Sequence, residues 1–528
     1  MQVLRMVPLL ITALLMETAT SQETSMKIEL DVNHLDRLTR ANMRVAAKQA
    51  SVDSDPYKPI FHIMPKSGGC GDPNGPVYFN GKYHMFYQHA PEFEWGVPVE
   101  KWEEWQGTYN FTGWGHASSE DLVYWEHEPI ALMPELGSYD PNYCASGSTV
   151  IDDDGIPTIF YTAAEPQTQC IARSQDPNLR WWLKDENNPI IFEPDIPGFR
   201  KGGFRDPFLW RDGTTWHMIL CGALYEVGGM AVHFKSENLT DWEYAGAFAK
   251  GMGEHCIAWE CPNFIRFDNM GMLIVSPLFD NLQDTNHAPR GSVVYTIAPY
   301  SDNGSFTPGE WKSIDIGGPN NFYATQCLQT PDGRWLLWGM NLGGGSQDHH
   351  WTINLSLPRV LTLRQDGLLG QEPPVELQEL RRSHWGEKDL IMGGEYLLDI
   401  KSNTFEIMVE IELGNANIVG IDLRASEDFT NKVRIAFDVK DSILHINEHH
   451  MPFELLEGED CLRLHAFVDR SVVEVFINRR ECGTVQPFHN IDDKSIRLFS
   501  DGGTAHIRSV DVWEIGSIWK KPSSNTLQ

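Results

Sequence analysis

An all-β fold is what this sequence predicts, on three observations. From about residue 58 the chain reads as short aromatic and β-branched runs separated by turn signals, with little helical periodicity. Hairpin-type turns recur at Asn80-Gly81, Asp154-Gly155, Asp212-Gly213, Asn269-Met270-Gly271 and Asp332-Gly333, roughly sixty residues apart. After about residue 388, segments such as FEIMVEIEL, VRIAFDV and RLHAFVDRSVVEVFI alternate apolar with polar residues. Five hairpin-centred units suggest a five-bladed β-propeller, although a β-sandwich also fits the units taken alone. The later region reads as a C-terminal β-sandwich, each strand burying one face.

Taken in order, residues 1–21 resemble a secretory signal: Arg5, an apolar run over 6–16, and Ala19-Thr20-Ser21 as a small-x-small cleavage site. The run is too short to span a bilayer. Secretion gives meaning to four glycosylation sequons, at Asn110, Asn238, Asn303 and Asn354. Residues 22–57 form a polar arm with a possible amphipathic helix over 28–48. The propeller is expected over 58–362, a Pro-containing linker over 363–387, the sandwich over 388–515 and a tail over 516–528. Asp469-Arg470-Ser471 reads as a turn with an ion pair before a strand.

The composition limits the chemistry. A formal charge of −31 argues against nucleic acid as a partner and fits a neutral substrate. Nine cysteines, an odd count, show no CxxC spacing; Cys461 and Cys482 flank a strand pair and form the best candidate disulfide. His84, His89 and His116 lie on strand-like runs as core or hydrogen-bonding histidines, so neither a metal cluster nor a cofactor motif is expected.

The stretch Cys70–Gln88, CGDPNGPVYFNGKYHMFYQ, holds the first candidate catalytic residue. Asn80-Gly81 between aromatic runs predicts a type I′ hairpin. Pro73 holds Asp72 extended, and Asn74-Gly75 bends the chain just after it. Asp206 and Glu260 stand at similar distances before the turns of units three and four. In a propeller, three carboxylates in similar register converge on one mouth of the channel. Retaining glycoside cleavage needs one ionised carboxylate as nucleophile and one protonated carboxyl as acid. Asp72, rigid and short, suits the nucleophile. Glu260, between Trp259 and Cys261-Pro262, suits the acid/base through desolvation. Asp206, beside Arg205, suits gripping sugar hydroxyls.

These blocks resemble glycoside hydrolase family 32, the invertase and fructanase family: GDPNGP at Asp72, FRDPF at Asp206 and WECPNF at Glu260. FYQ ending at Gln88, WGHASSEDLVYWEHEPIAL from Trp114, SGSTV from Ser146 and FYATQ from Phe322 agree as well. The resemblance implies a propeller plus sandwich and a retaining β-fructofuranosidase acting on sucrose or fructans. It makes Asp72 the nucleophile, Asp206 the transition-state stabiliser and Glu260 the acid/base. Asn74, Gln88, Trp114, Ser146, Arg205 and Tyr323 become the substrate-binding candidates.

The chain departs from the family pattern in three places. Gly71 stands where Asn usually precedes the nucleophile, and Asn263 where Asp usually follows Trp-Glu-Cys-Pro. A long segment between Gln88 and Trp114 carries Trp95, Trp102 and Trp105, read either as an aromatic wall for the leaving group or as a loop packed on the rim. Three other readings stay open: fructosyl transfer by the same trio, cleavage of another furanoside, and a non-catalytic sugar-binding relative.

Overall fold

A computed structural model describes residues 32–91, 112–135, 137–164, 166–251, 256–279, 292–300, 304–318, 321–346 and 350–519. The signal, the Trp-rich segment apart from its two ends, and the sequons at Asn110 and Asn303 lie outside the described residues. One long helix, Val32–Asp53, stands in the arm. Its Leu38, Ala41 and Val45, three and four positions apart, form an apolar stripe that packs on Ile130 and Met133. Val52, about two turns beyond Val45, joins Met64 and Trp351.

The five hairpins form where the turn chemistry places them. They join Gly68–Phe79 to Lys82–Ala90, Tyr143–Ile151 to Pro157–Ala164, and Phe208–Asp212 to Thr215–Leu224. The last two join Cys256–Phe267 to Met270–Phe279 and Tyr323–Gln329 to Trp335–Ser346. Asn80 and Gly81 both take positive φ, 49° and 80°, as a type I′ turn requires. Units two, three and four are separate four-stranded antiparallel sheets. Units one and five share a nine-stranded sheet, because Trp351–Leu355 pairs in parallel with Gly68–Phe79 through Gly68–Trp351 and Gly69–Thr352. The first strand of each unit touches the first strand of the next, and that of unit five touches that of unit one. Gly75, at φ +41°, is one such junction: a Cβ there would lie 2.4 Å from Thr149 Oγ1 of unit two. A cavity of about 440 Å³ is lined from all five units, by residues that include Val77, Thr149, Leu209, Phe264 and Gln326.

The later region forms two six-stranded antiparallel sheets over one apolar core. Phe405, Ile407 and Val409 face it from one sheet, Val419, Ile421 and Leu423 from the other. The first sheet starts at Arg381, within the stretch expected as a linker. That stretch also holds the strand Leu369–Glu372 and a 3-10 helix, Val375–Leu380, whose Leu377 and Leu380 are buried. Pro374 caps the helix start, so the prolines mark an element boundary here.

Asp469-Arg470-Ser471 does more than close a turn. The Asp469 carboxylate accepts from the backbone N–H groups of Ile60 (2.9 Å) and Phe61 (2.8 Å) and from His62 Nδ1 (2.8 Å). Arg470 and Ser471 donate to the carbonyls of Lys58 and Tyr57, both at 2.8 Å. His62 also reaches Glu474 at 3.1 Å, and Arg359, paired with Asp315 at 2.7 Å, lies 3.5 Å from Glu474. A buried charge network therefore bolts the repeat region to the two-sheet region.

All nine cysteines are free and buried. Cys461 and Cys482 cannot pair as expected: the strand Val472–Ile477 runs between Leu462–Asp469 and Glu481–Val485. Two strand spacings amount to about 9–10 Å, beyond the ~7 Å a disulfide tolerates between Cα atoms. Asn238 is exposed, but Asn354 is fully buried and its Oδ1 accepts from Asn341 Nδ2 at 2.8 Å. A glycan cannot sit on Asn354 in the folded chain. Among the described residues no helix is long and apolar enough to cross a membrane.

Candidate active site

Asp72, Asp206 and Glu260 come from units one, three and four and meet at one end of the first strands. Cys261 links two of them: its Sγ lies 3.6 Å from Asp72 Oδ2 and 3.7 Å from Asp206 Oδ2. Glu260 is the residue before it.

A two-residue pattern recurs in units three, four and five. In Arg205-Asp206, Glu260-Cys261 and Tyr323-Ala324 the second residue is left-handed, with φ of 60°, 45° and 48°. Its N–H points back to the preceding unit: Asp206 to Thr162 Oγ1 (3.1 Å), Cys261 to Asp206 Oδ2 (3.0 Å) and Ala324 to Ser276 Oγ (3.2 Å). Non-glycine residues in this region cost of order 1–3 kcal/mol each and persist only where their surroundings enforce them. The first residues of the three pairs form a bonded row. Arg205 Nη2 donates to Glu260 Oε1 at 2.5 Å, and the Tyr323 hydroxyl donates to Glu260 Oε2.

This arrangement corrects two expectations. Glu260 shares its register with Arg205 and Tyr323, whereas Asp206 shares its register with Cys261. The environment of Glu260 is also polar: Arg205, expected as the partner of Asp206, lies 3.7 Å from it and makes its short ion pair with Glu260. The reason is geometric, since neighbouring units, and not neighbouring residues, face each other across the mouth.

Around Asp72 the bonds come from unit two and from the second strand of unit one. Ser146 Oγ donates to Asp72 Oδ2 at 2.5 Å, and Gln88 Nε2 reaches the same oxygen at 3.3 Å and Ser146 Oγ at 2.6 Å. Burial, then the charges of Asp206 and Glu260, push the Asp72 carboxyl up to about 7 against the pull of Ser146 and Cys261. Burial pushes Asp206 up to about 6; Arg205 opposes the shift and Glu260 adds to it. Burial and mutual repulsion therefore shift both Asp72 and Asp206 toward their neutral forms.

Two substrate-binding candidates sit elsewhere than expected. Asn74 is fully enclosed. With its amide turned to satisfy its neighbours, its nitrogen faces Ser146 Oγ and its oxygen accepts from Gln88 N–H at 3.2 Å, so it braces the site from behind. Trp114 is also fully buried, packed on Phe86, with its Nε1 donating to Ala145 O at 2.9 Å. Trp114 pairs with Gln88 on one side and bridges Leu132 on the other, and its side chain sits in the core with Phe86, Ala131 and Tyr161. Gln88, Ser146, Arg205 and Tyr323 do gather around the carboxylates. Sequence reading missed Thr162 and Tyr143, which have no motif and act across units.

Asn263 braces units four and five: its Nδ2 donates to Cys261 O (2.9 Å) and Thr325 O (2.8 Å), and its Oδ1 accepts from Cys327 N–H (2.8 Å). His84 and His116 bond each other at 2.9 Å, and His89 bonds the Ser67 carbonyl at 2.9 Å.

Known proteins match this chain over most of its length. A family model for the glycosyl hydrolases family 32 N-terminal domain matches residues 62–373, and one for the family 32 C terminal matches 376–514. A sucrose-6-phosphate hydrolase of Bacillus subtilis (strain 168) is 30% identical over 469 residues, covering 84% of this chain and 91% of the relative. A levanase of the same strain is 28% identical, covering 91% of this chain and 74% of the relative. The solved structure of fructan 1-exohydrolase IIa from Cichorium intybus superposes with a TM-score of 0.75 at 23% identity, covering 88% of this chain and 98% of that one, a likeness of fold.

Proposed function

Because this chain belongs to glycosyl hydrolase family 32 and carries a three-carboxylate mouth, we propose that it cleaves terminal β-D-fructofuranosides by a retaining, two-step route. The observation that carries the reading is the Cys261 thiol, within 3.6 Å of Asp72 and 3.7 Å of Asp206, with Glu260 next in the chain. In this reading the proton shared among the clustered carboxyls sits on Glu260 once substrate is bound, Glu260 gives it to the glycosidic oxygen, and the ionised Asp72 Oδ attacks the anomeric carbon. Water then attacks the fructosyl-enzyme, with Glu260 taking its proton. Asp206, held by the Cys261 N–H, binds fructose hydroxyls and steadies the developing positive charge. Arg205 and Tyr323 fix both oxygens of Glu260 before substrate enters.

The closed ring of first strands and the cavity lined from all five units support a five-bladed propeller as the scaffold, with the two-sheet region as a β-sandwich. Relatives named for sucrose 6-phosphate and for levan support a fructoside substrate. Residues 1–21 support secretion, which N-terminal sequencing of the exported protein tests. Sucrose and inulin hydrolysis, followed by proton NMR of the first-formed fructose anomer, tests the function. Release of the β-anomer with loss of activity in Asp72→Asn and Glu260→Gln is expected, by about 10³-fold or more. Full activity in either variant overturns the reading. Accumulation of trisaccharides at high sucrose would move the assignment to fructosyl transfer.

A further inference from the structure

Gln88 is held in one pose by Tyr143, which no motif singles out, and by Gly71, where the chain departs from the family pattern. Its amide nitrogen faces Ser146 Oγ at 2.6 Å and Asp72 Oδ2 at 3.3 Å. Its Oε1 accepts from the Tyr143 hydroxyl at 2.8 Å. The polarity of this chain is consistent at every link: Ser146 spends its proton on Asp72, so its lone pair is free for Gln88 N–H. A reversed amide would set Oε1 against the carboxylate. Gly71 supplies the room, since a Cβ there would fall 2.9 Å from both Gln88 Cβ and Gln88 Oε1. Gly71 lies outside the left-handed region, so space alone, and not backbone conformation, forbids a side chain at this position.

We propose that Tyr143 and Gly71 are positioning residues: together they fix the rotamer and amide orientation of Gln88, and through Gln88 they set the Asp72 carboxylate for attack. Tyr143 can do this because it opens the strand Tyr143–Ile151, and the next residue, Cys144, is tied through its N–H to Thr112 O at 2.9 Å. The hydroxyl thus reaches the mouth from a fixed backbone. Gly71 acts by vacancy, the space that would hold its side chain being occupied by Gln88. This inference rests on the reading of Asp72 as the nucleophile.

The experiment is a double-mutant cycle on sucrose hydrolysis with Tyr143→Phe, Gly71→Ala and Gln88→Ala, with Asp72→Asn alongside. Tyr143→Phe and Gly71→Ala should each lower kcat/KM by about tenfold, the size of a lost hydrogen bond to a charged network. Each should also move the acid limb of the pH profile upward, because a donor to Asp72 is lost. Neither should cost more in the Gln88→Ala background, since the shared intermediary is already gone. Wild-type activity and an unmoved acid limb in both single variants overturn the inference, and so do losses that add fully on Gln88→Ala. An active Asp72→Asn instead overturns the nucleophile assignment, so the two failures are distinguishable.

Discussion

Cys261 donates its backbone N–H to Asp206 Oδ2 at 3.0 Å from a left-handed conformation, φ +45°. The bond exists only because the chain adopts this conformation, which turns the N–H toward unit three. A β-branched residue tolerates it poorly, whereas glycine adopts it freely. Cys261→Val should therefore lose more kcat/KM than Cys261→Gly, even though valine is closer to cysteine in volume. The reverse order would mean that side-chain packing, and not the backbone donor, sets Asp206.

The raised Asp72 and Asp206 carboxyls carry a stability signature. A carboxyl that titrates at about 7 in the folded chain against 3.8 in the unfolded one binds its proton more tightly when folded. Stability from this group is greatest in acid and falls as pH rises from about 4 through 7. Asp72→Asn should thus have a higher Tm than the wild type at pH 8, with the gap closing by pH 4. Thermal unfolding across that range checks it; an equal or lower Tm at pH 8 would show that Asp72 is better solvated than its burial implies. The active site is, in this sense, assembled against stability.

His62 has the opposite dependence. Burial acts to lower its pKa, but hydrogen bonds and charges from Asp469 and Glu474 outweigh burial and bring it up to about 9. Its stabilising contribution is full below about 6.5 and is lost as pH rises through 9. His62→Gln should flatten the alkaline fall in stability between pH 7 and 10. Glu474→Gln, which leaves His62 and Arg359 short of a buried counter-charge, should cost about 3–5 kcal/mol. Urea unfolding at pH 7 and pH 9.5 separates the two effects.

The parts of the fold legible in the sequence were those decided by neighbouring residues. Asn80-Gly81 and Asp212-Gly213 mark turns because the left-handed conformation is cheap there. Asp72, Asp206 and Glu260 stood out for the prolines set close after them and the spacing of the turns. What stayed hidden was decided between units. Nothing near Arg205 says that its strongest partner is Glu260, 55 positions away and not the adjacent Asp206. Trp114 and Asn74 sit in family-like blocks yet face inward, because strand pairing and not residue type sets which way a side chain points. The Asp469 carboxylate serves Ile60–His62 across about 400 residues, a distance no local pattern encodes.

Asn263 gives the last test. Family members usually carry aspartate here, but in this chain the amide donates to two carbonyls, Cys261 O and Thr325 O, and accepts from Cys327 N–H. An ionised aspartate donates nothing, so both carbonyls would face a buried negative charge. A protonated one donates once and still leaves one carbonyl unpaired. Asn263→Asp should therefore destabilise the chain by roughly 2–3 kcal/mol in acid, where the carboxyl is neutral, and by more at pH 8, where folding must bury the ion. The stability of the variant should fall with rising pH, because its folded-state pKa lies above that of the unfolded chain. Since Asn263 braces the residue that carries the Asp206 donor, kcat should drop along with stability. Unchanged unfolding at both pH values would mean that Asn263 is replaceable, and the brace between units four and five would have to lie elsewhere.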